Sequence, residues 1–140
     1  MKSIKKVMVA LDLSTTSNET LGYALLMAGK FNAELLIINV INSRDLNIIR
    51  KIASNQFDRS IEAYAEKAEK EYIEREMRER KAGFDHLLED MNSPKLKLRI
   101  IFKIGVPFKE IIAAVEEEAV DLMIVGSEGR SNVSDVFRGS

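Results

Sequence analysis

Four apolar runs of strand length recur along the chain, separated by segments with helical patterns. Residues 4–12 and 34–41 contain continuous apolar stretches, which are typical of parallel strands covered on both faces. Residues 95–104 alternate charged and apolar side chains before becoming apolar, as an edge strand does. Residues 121–125 form a short apolar run that ends at Gly126. These four segments predict four strands.

Two of the intervening segments carry clear helix signals. The serine and threonine residues at 14–17 can cap a helix, and apolar residues then recur at helical spacing until a stop is expected at Asn32. Pro107 suits the first turn of a second helix, because its ring fixes the backbone angle that a helix start requires. We therefore predict a helix before the second strand and another before the fourth.

The segment between the second and third strands is less regular. Residues 42–55 are polar and are predicted to be a connector, whereas Phe57 to Met91 has the apolar stripe and paired charges of a long helix. Gly83 lies inside that pattern, and glycine is a poor helix former. We expect a break there into two helices rather than one long helix that projects from the sheet.

Strands that alternate with helices predict one α/β domain over residues 1–140: a three-layer, open parallel sheet with helices on both faces. Such sheets bind ligands outside the carboxyl ends of their strands, where the strand order reverses. Candidate site residues should therefore lie at Asp12, at 40–42, at Gly105 and at Gly126.

Composition narrows the function classes. The formal net charge of -1 argues against a nucleic-acid partner, which normally requires a basic surface. The chain contains no cysteine and one histidine, His86, which excludes thiolate chemistry and argues against a transition-metal cluster. His86 lies in a charged helical segment and is interpreted as a surface residue. With no long apolar segment or leader pattern, we expect no membrane partner and a cytoplasmic location.

A glycine-bearing segment follows the last strand, from Gly126 to Ser140. Glycines allow backbone amides to approach a ligand and form an anion-binding concavity, and Arg130 and Ser131 could add donors. The segment lacks the Gly-Lys-Ser/Thr ending of a P-loop and the three-glycine dinucleotide fingerprint. An ordinary turn remains an equal alternative on these residues alone.

The spacing of Gly126, Gly129 and the pair Gly139-Ser140 resembles the nucleotide-binding signature of the universal stress protein family, in its ATP-binding branch. Three further features match in order: Asp12-Leu13-Ser14 after the first strand, the second strand at 35–40, and Gly105 with Pro107 after the third. The resemblance implies strand order 3-2-1-4(-5), an adenine nucleotide alpha hydrolase-like fold, and bound ATP or AMP.

The resemblance also assigns roles. Asp12 would contact the ribose or adenine, the Val40 backbone would meet the adenine, and Gly105 would line the pocket. The amides and side chains from Gly126 onward would surround the phosphates. The predicted cofactor-binding residues are Asp12, Ser14, Val40, Gly105, Gly126, Gly129, Arg130, Ser131, Gly139 and Ser140.

This sequence departs from the family pattern in two places. The family continues beyond the Gly-Ser pair with a helix and a fifth strand that commonly pairs two subunits, so we expect a chain ending at Ser140 to be a truncated form. Glu128 places a carboxylate within the phosphate loop and is expected to point outward, because inward it would repel a triphosphate.

The resemblance implies an adenine-nucleotide-binding regulator or switch of the stress response, acting as a homodimer, with Mg²⁺ accompanying a triphosphate. No catalytic or metal-binding residue is assigned, since the carboxylates near the predicted pocket have no evident activating partner. Two alternatives stay open. One is slow ATP hydrolysis at the same pocket, and the other is a nucleotide-free interaction module that uses the long helix.

Overall fold

The computed structural model describes residues 3–14, 17–54, 60–91 and 96–126. These ranges contain four strands and four helices, with one helix after β1, two after β2 and one after β3. The strands are β1 (Lys6–Ala10), β2 (Glu34–Asn42), β3 (Leu98–Gly105) and β4 (Leu122–Val125). The helices are α1 (Ser17–Phe31), α2 (Ser43–Ser54), α3 (Ser60–Asp90) and α4 (Pro107–Glu117).

The four strands form one parallel sheet in the order β3-β2-β1-β4. Met8 at the centre of β1 is opposite Leu36 of β2 and Met123 of β4. The continuous apolar sequences of β1 and β2 follow from this position, because both faces of a central strand are covered. The predicted strand order 3-2-1-4 is confirmed, and β3 is the predicted edge strand.

Helices cover the two faces of the sheet and divide the core. Val9 and Ile37 point toward α1 and α3, where they share a cluster with Phe84. Met8 and Ile38 point the other way and pack with Ile111 of α4. Because successive side chains of a strand alternate between faces, each central strand contributes to both clusters. The predicted three-layer α/β architecture is confirmed.

The boundaries of α1 and α4 agree with their sequence signals. Asn32 follows the last residue of α1 with φ of 51°, a left-handed conformation that asparagine tolerates and that commonly ends helices. Pro107 is the first residue of α4, as predicted. Both helices thus begin or end where the local side chain favours it.

The predicted break at Gly83 is wrong, because α3 is one helix of 31 residues that continues through this glycine. A methyl group at Gly83 would lie 3.2 Å from Leu13 Cδ1, so the absent side chain allows the helix to approach the loop after β1. The next residue, Phe84, is completely buried, and its ring centre lies 6.1 Å from that of Phe102. Burying an aromatic ring contributes about 1.5–3 kcal/mol, more than the ~1 kcal/mol cost of a helical glycine.

The predicted polar connector at 42–55 is also wrong, since most of it forms α2. Asn42 Oδ1 accepts a hydrogen bond from Arg44 N at 3.0 Å, which caps the first turn of this helix. Leu46 is 5% exposed and anchors α2, which packs mainly along α3. The helix is strongly amphipathic, and the prediction gave too little weight to the cap and the apolar spacing after it.

Candidate functional site

The carboxyl ends of β1, β2 and β4 lie side by side. Ala10, the last residue of β1, is opposite Ile38 on one side and Val125 on the other. The residues that follow, Asp12, Val40 and Gly126, therefore leave the same edge of the sheet on adjacent strands. The chain places β2 and β3 on one side of β1 and β4 on the other, so the strand order reverses here. In open parallel sheets this is the position at which ligands bind.

Asp12 and Ser14 form a tight turn at the end of β1. Ser14 N donates to Asp12 Oδ1 at 2.9 Å, and Ser17 N donates to Ser14 O at 3.1 Å as the chain enters α1. Leu13, between them, has φ of 61°, an uncommon conformation for a leucine. The turn places the exposed Asp12 carboxylate at the sheet edge, with one oxygen orienting the loop.

Gly126 lies against the first turn of α1. A methyl group at Gly126 would come within 3.0 Å of Thr20 Oγ1, so glycine permits this close approach. Ser17 begins α1 and is 4% exposed, and its hydroxyl has no hydrogen-bond partner among the residues that the structure describes. A buried hydroxyl without a partner is unfavourable by about 1–3 kcal/mol, and so it is a group that a ligand can satisfy.

Gly105 occupies a different part of the carboxyl edge. It pairs with Asn42, and β2 separates it from β1, which puts it about 10 Å from the β1 end at the usual strand spacing. Its φ of 156° is rare for residues with a side chain, and an added methyl group would meet the Glu110 carboxylate at 2.5 Å. The structure therefore does not bring Gly105 next to Gly126, although both end strands of the sheet.

Sequence reasoning missed a polar contact network beside Asp12, which we call the Asn39–Arg80 network (Asn39, Arg80, Glu76 and Tyr72). Asn39 is 2% exposed, its Nδ2 donates to Leu11 O at 2.7 Å, and its Oδ1 accepts from Arg80 Nη1 at 2.8 Å. The signal was present in the sequence, because Asn39 interrupts an otherwise apolar strand.

The outer part of this network continues along α3. Arg80 Nη2 donates to Glu76 Oε1 at 3.2 Å, and the Tyr72 hydroxyl donates to the same oxygen at 3.4 Å. Burial, followed by the nearby Glu76 charge, raises the pKa of Tyr72, so its phenol stays protonated at neutral pH. The network thus connects one face of α3 with the ends of β1 and β2.

Half of the predicted site lies outside the described residues. This half comprises Gly129, Arg130, Ser131, Gly139 and Ser140, together with the predicted outward orientation of Glu128. The other predicted residues are all at the carboxyl edge, where the structure brings Asp12, Val40 and Gly126 together and leaves Gly105 two strands from β1.

Within residues 3–14, 17–54, 60–91 and 96–126, no three histidine, aspartate or glutamate side chains gather as metal ligands would. His86 is interpreted correctly as a surface residue, since its side chain is 78% exposed and lies 3.6 Å from Asp90 on the same helix. In these ranges no helix combines the length and apolar character needed to cross a bilayer.

The fold defines a class: open parallel α/β domains whose strand order reverses at a central strand. The sequence profile of the universal stress protein family matches residues 3–140, and the chain belongs to this family. Universal stress protein MJ0577 of Methanocaldococcus jannaschii is 23% identical over 97% of this chain and 84% of that protein.

Solved structures show the same fold. The structure of protein MJ0577 has a TM-score of 0.65 at 22% identity, covering 96% of this chain and 82% of that one. A universal stress protein solved in complex with cAMP has a TM-score of 0.51 at 19% identity, covering 99% of this chain and 85% of that one.

Proposed function

We propose that this protein binds an adenine nucleotide, ATP or AMP, at the carboxyl edge of its sheet and acts as a ligand-sensitive regulator of the stress response. The observation that carries the proposal is the position of Asp12, Val40 and Gly126 on three adjacent strand ends at the reversal of strand order. Family membership supports it, as does the family structure that was solved with cAMP.

The nucleoside part of the ligand would lie between the ends of β1 and β2. The Asp12 carboxylate would accept hydrogen bonds from ribose hydroxyls, with Ser14 beside it in the same turn. The backbone of Val40 would meet the adenine edge, and Gly105 would line the far side. Hydrogen bonds to a charged acceptor are worth about 1.5–3 kcal/mol, so Asp12 would contribute a large share of the affinity.

The phosphates would lie on the β4 side. Gly126 begins the glycine-bearing segment, and Gly129, Arg130, Ser131, Gly139 and Ser140 would provide its further amide, hydroxyl and guanidinium donors. We propose that Mg²⁺ accompanies a triphosphate there. We also propose that the protein acts in the cytoplasm as a homodimer, which light scattering of the purified chain would test.

A melting experiment with ATP, AMP and GTP tests the proposal. A ligand that binds only the folded state, at a hundredfold excess over its Kd, stabilises that state by about 2.7 kcal/mol. For a domain of this size we expect AMP or ATP to raise Tm by about 10 °C. Unchanged melting with every adenine nucleotide would contradict the proposal and favour an interaction module instead.

A conservative variant locates the binding. Asp12→Asn keeps an oxygen that accepts from Ser14 N but removes the charge, so the Tm increase with AMP should shrink while the turn is retained. Asp85→Asn, which removes an exposed carboxylate on α3, is the matched control and should leave the increase unchanged. Phosphate release in a single-turnover assay would separate hydrolysis from binding alone.

A specific observation also favours a second candidate, the interaction module. Large apolar side chains are exposed on α2 and α3, among them Ile48, Ile52 and Tyr64, which are 50%, 72% and 68% exposed. Replacing Ile52 with Lys should weaken a partner contact there without changing nucleotide binding, so the two candidates can be tested independently.

A further inference from the structure

The side chain of Asn39 extends the hydrogen bonding between β2 and the β1 chain by one residue, to Leu11. The Leu11 N–H donates to Ile38 O at 3.1 Å, and the Leu11 carbonyl accepts from the Asn39 side chain at 2.7 Å. A side-chain amide therefore takes the place that a backbone donor would occupy in the next step of the ladder. Both polar groups of Leu11 are held by β2, and the next residue is Asp12.

Arg80 fixes the orientation of that amide. A guanidinium can only donate hydrogen bonds and a backbone carbonyl can only accept them, so Asn39 must present its oxygen to Arg80 and its nitrogen to Leu11. Arg80 Nη1 bonds to Asn39 Oδ1 at 2.8 Å and also lies 3.4 Å from Val40 O. One guanidinium group therefore contacts the asparagine that holds β1 and the strand-end carbonyl of β2.

These contacts concern one side of the candidate site. Leu11 precedes Asp12, and Val40 is the residue assigned to the base, whereas none of the hydrogen bonds of the Asn39–Arg80 network reaches Gly126 on β4. The Arg80 side chain is 22% exposed, and its ion pair with Glu76 holds the guanidinium at this end of α3. The network therefore sets the geometry of the β1–β2 side.

We propose that Asn39 and Arg80 are positioning residues that fix the ends of β1 and β2 for the nucleoside part of the ligand, and that they have little influence on its phosphates. This inference rests on the proposed function. It adds that α3, through Arg80, affects binding of the nucleoside part of the nucleotide. A shift of about 1 Å at such a site costs up to a hundredfold in related catalytic cases, so a large effect on affinity is expected.

Asn39→Asp is the sharpest test, because it keeps the shape of the side chain and an acceptor for Arg80 but replaces the donor to Leu11 O with a second oxygen. We expect calorimetry to show AMP binding weakened at least tenfold, with binding of inorganic tripolyphosphate within twofold of the parent protein. Arg80→Lys retains the charge but cannot contact Asn39, Val40 and Glu76 together, and it should show the same selective loss. If Asn39→Asp does not fold, Arg80→Lys decides the question.

Arg50→Met is the matched control, since Arg50 pairs with Glu69 between α2 and α3 rather than with the strand ends. It should leave both affinities unchanged. AMP affinity within twofold of the parent protein in Asn39→Asp and Arg80→Lys would overturn the proposal. An equal loss of AMP and tripolyphosphate would also overturn it, because it would show general damage to the fold.

Hydrogen exchange in the ligand-free protein separates this inference from the proposed function. The amides of residues 11–14 should exchange faster in Asn39→Asp than in the parent protein, whereas those of α4 should not change. If the parent protein binds no adenine nucleotide, the proposed function fails and the ligand part of this inference fails with it. Unchanged exchange at residues 11–14 would refute the positioning role whatever the protein binds.

Discussion

The two ends of the sheet use their polar groups in opposite ways. At the amino end, Arg99 bonds to both oxygens of Glu118 at 2.7 and 3.2 Å and to Glu34 at 3.2 Å. Lys6 donates to the Glu118 carbonyl at 2.9 Å, and Asp121 accepts from the Lys5 and Lys6 amides. At the carboxyl end, the strands lead into glycines, the Asp12 turn and the Asn39–Arg80 network.

This difference separates the polar groups that join the strands to one another from those that a ligand could contact. The charges at the amino end satisfy one another and join β1, β2, β3 and α4, so that end fixes the strands in place. The carboxyl end contains Gly105 and Gly126, the two described glycines at which an added methyl group would be most crowded, and an exposed carboxylate. Changes at the amino end should therefore affect stability, whereas changes at the carboxyl end should also affect ligand binding.

The largest effect on stability should come from Gly105→Ala. Its φ of 156° is unfavourable for alanine, and the new methyl group would meet Glu110. Backbone strain of this kind costs about 1–3 kcal/mol, which denaturant unfolding would measure. In the double variant with Glu110→Ala the contact is removed but the strain stays, so most of the loss should persist. Full recovery there would show that crowding, rather than backbone conformation, requires glycine.

Substituting alanine at two helical glycines should change stability by a smaller amount. Gly22→Ala in α1 has open space for the new methyl group and should stabilise the protein by about 0.5–1 kcal/mol, as alanine usually does in helices. Gly83→Ala should stabilise the protein less, because the new methyl group would lie only 3.2 Å from the Leu13 side chain. If urea unfolding shows the same increase in stability for both variants, the loop after β1 can shift at little cost, and Gly83 is not needed for its close approach to α3.

Arg99→Met tests the amino end directly. Removing the guanidinium breaks its bonds to Glu34 and Glu118, but the group is partly exposed, and such ion pairs contribute little and weaken in salt. We expect a small decrease in Tm that becomes smaller at 1 M NaCl. AMP affinity should not change, and a clear change would contradict the division between the two ends.

The smallest effect should be a pH dependence from Glu118. The Arg99 guanidinium lowers the pKa of this carboxyl group below its ordinary value of 4.5. A lowered pKa in the folded state means that the stabilisation is complete above the unfolded value and is lost as pH falls through the folded one. The Tm difference between the parent protein and Glu118→Gln should be constant from pH 7 to about 5 and should then shrink progressively as pH falls through the lowered pKa of the folded state. If the Tm difference instead grows on acidification, the pKa of Glu118 is raised rather than lowered in the folded protein.

The sequence predicts those features that depend on local pattern. The apolar runs predicted the parallel sheet, and the alternating charges of residues 95–104 predicted the β3 edge. Asp12 and Gly126 were predicted from their positions after strand-like runs, and the pairing of β1 with β4 brings both to the same edge of the sheet.

The missed features depend on contacts between distant residues. Glu118 ends a run of three glutamates, a pattern typical of the solvated end of a helix, yet it contacts Lys6 and Arg99, which lie 112 and 19 residues away. Arg80 is one of many charged residues on α3, and only its packing against β2 distinguishes it. Gly83 was misjudged for the same reason, since its role depends on Leu13, 70 residues earlier in the chain.

The continuity of α3 has a mechanical consequence. An uninterrupted helix transmits tilt along its length, so its first turns and the segment carrying Arg80 must rotate as one rod. Near its first turns α3 and the neighbouring α2 carry the exposed side chains of Tyr64, Ile48 and Ile52, while its other end carries Gly83 beside the loop that presents Asp12. A partner that tilts the first turns of α3 would therefore also move the segment that lies beside the Asp12 loop.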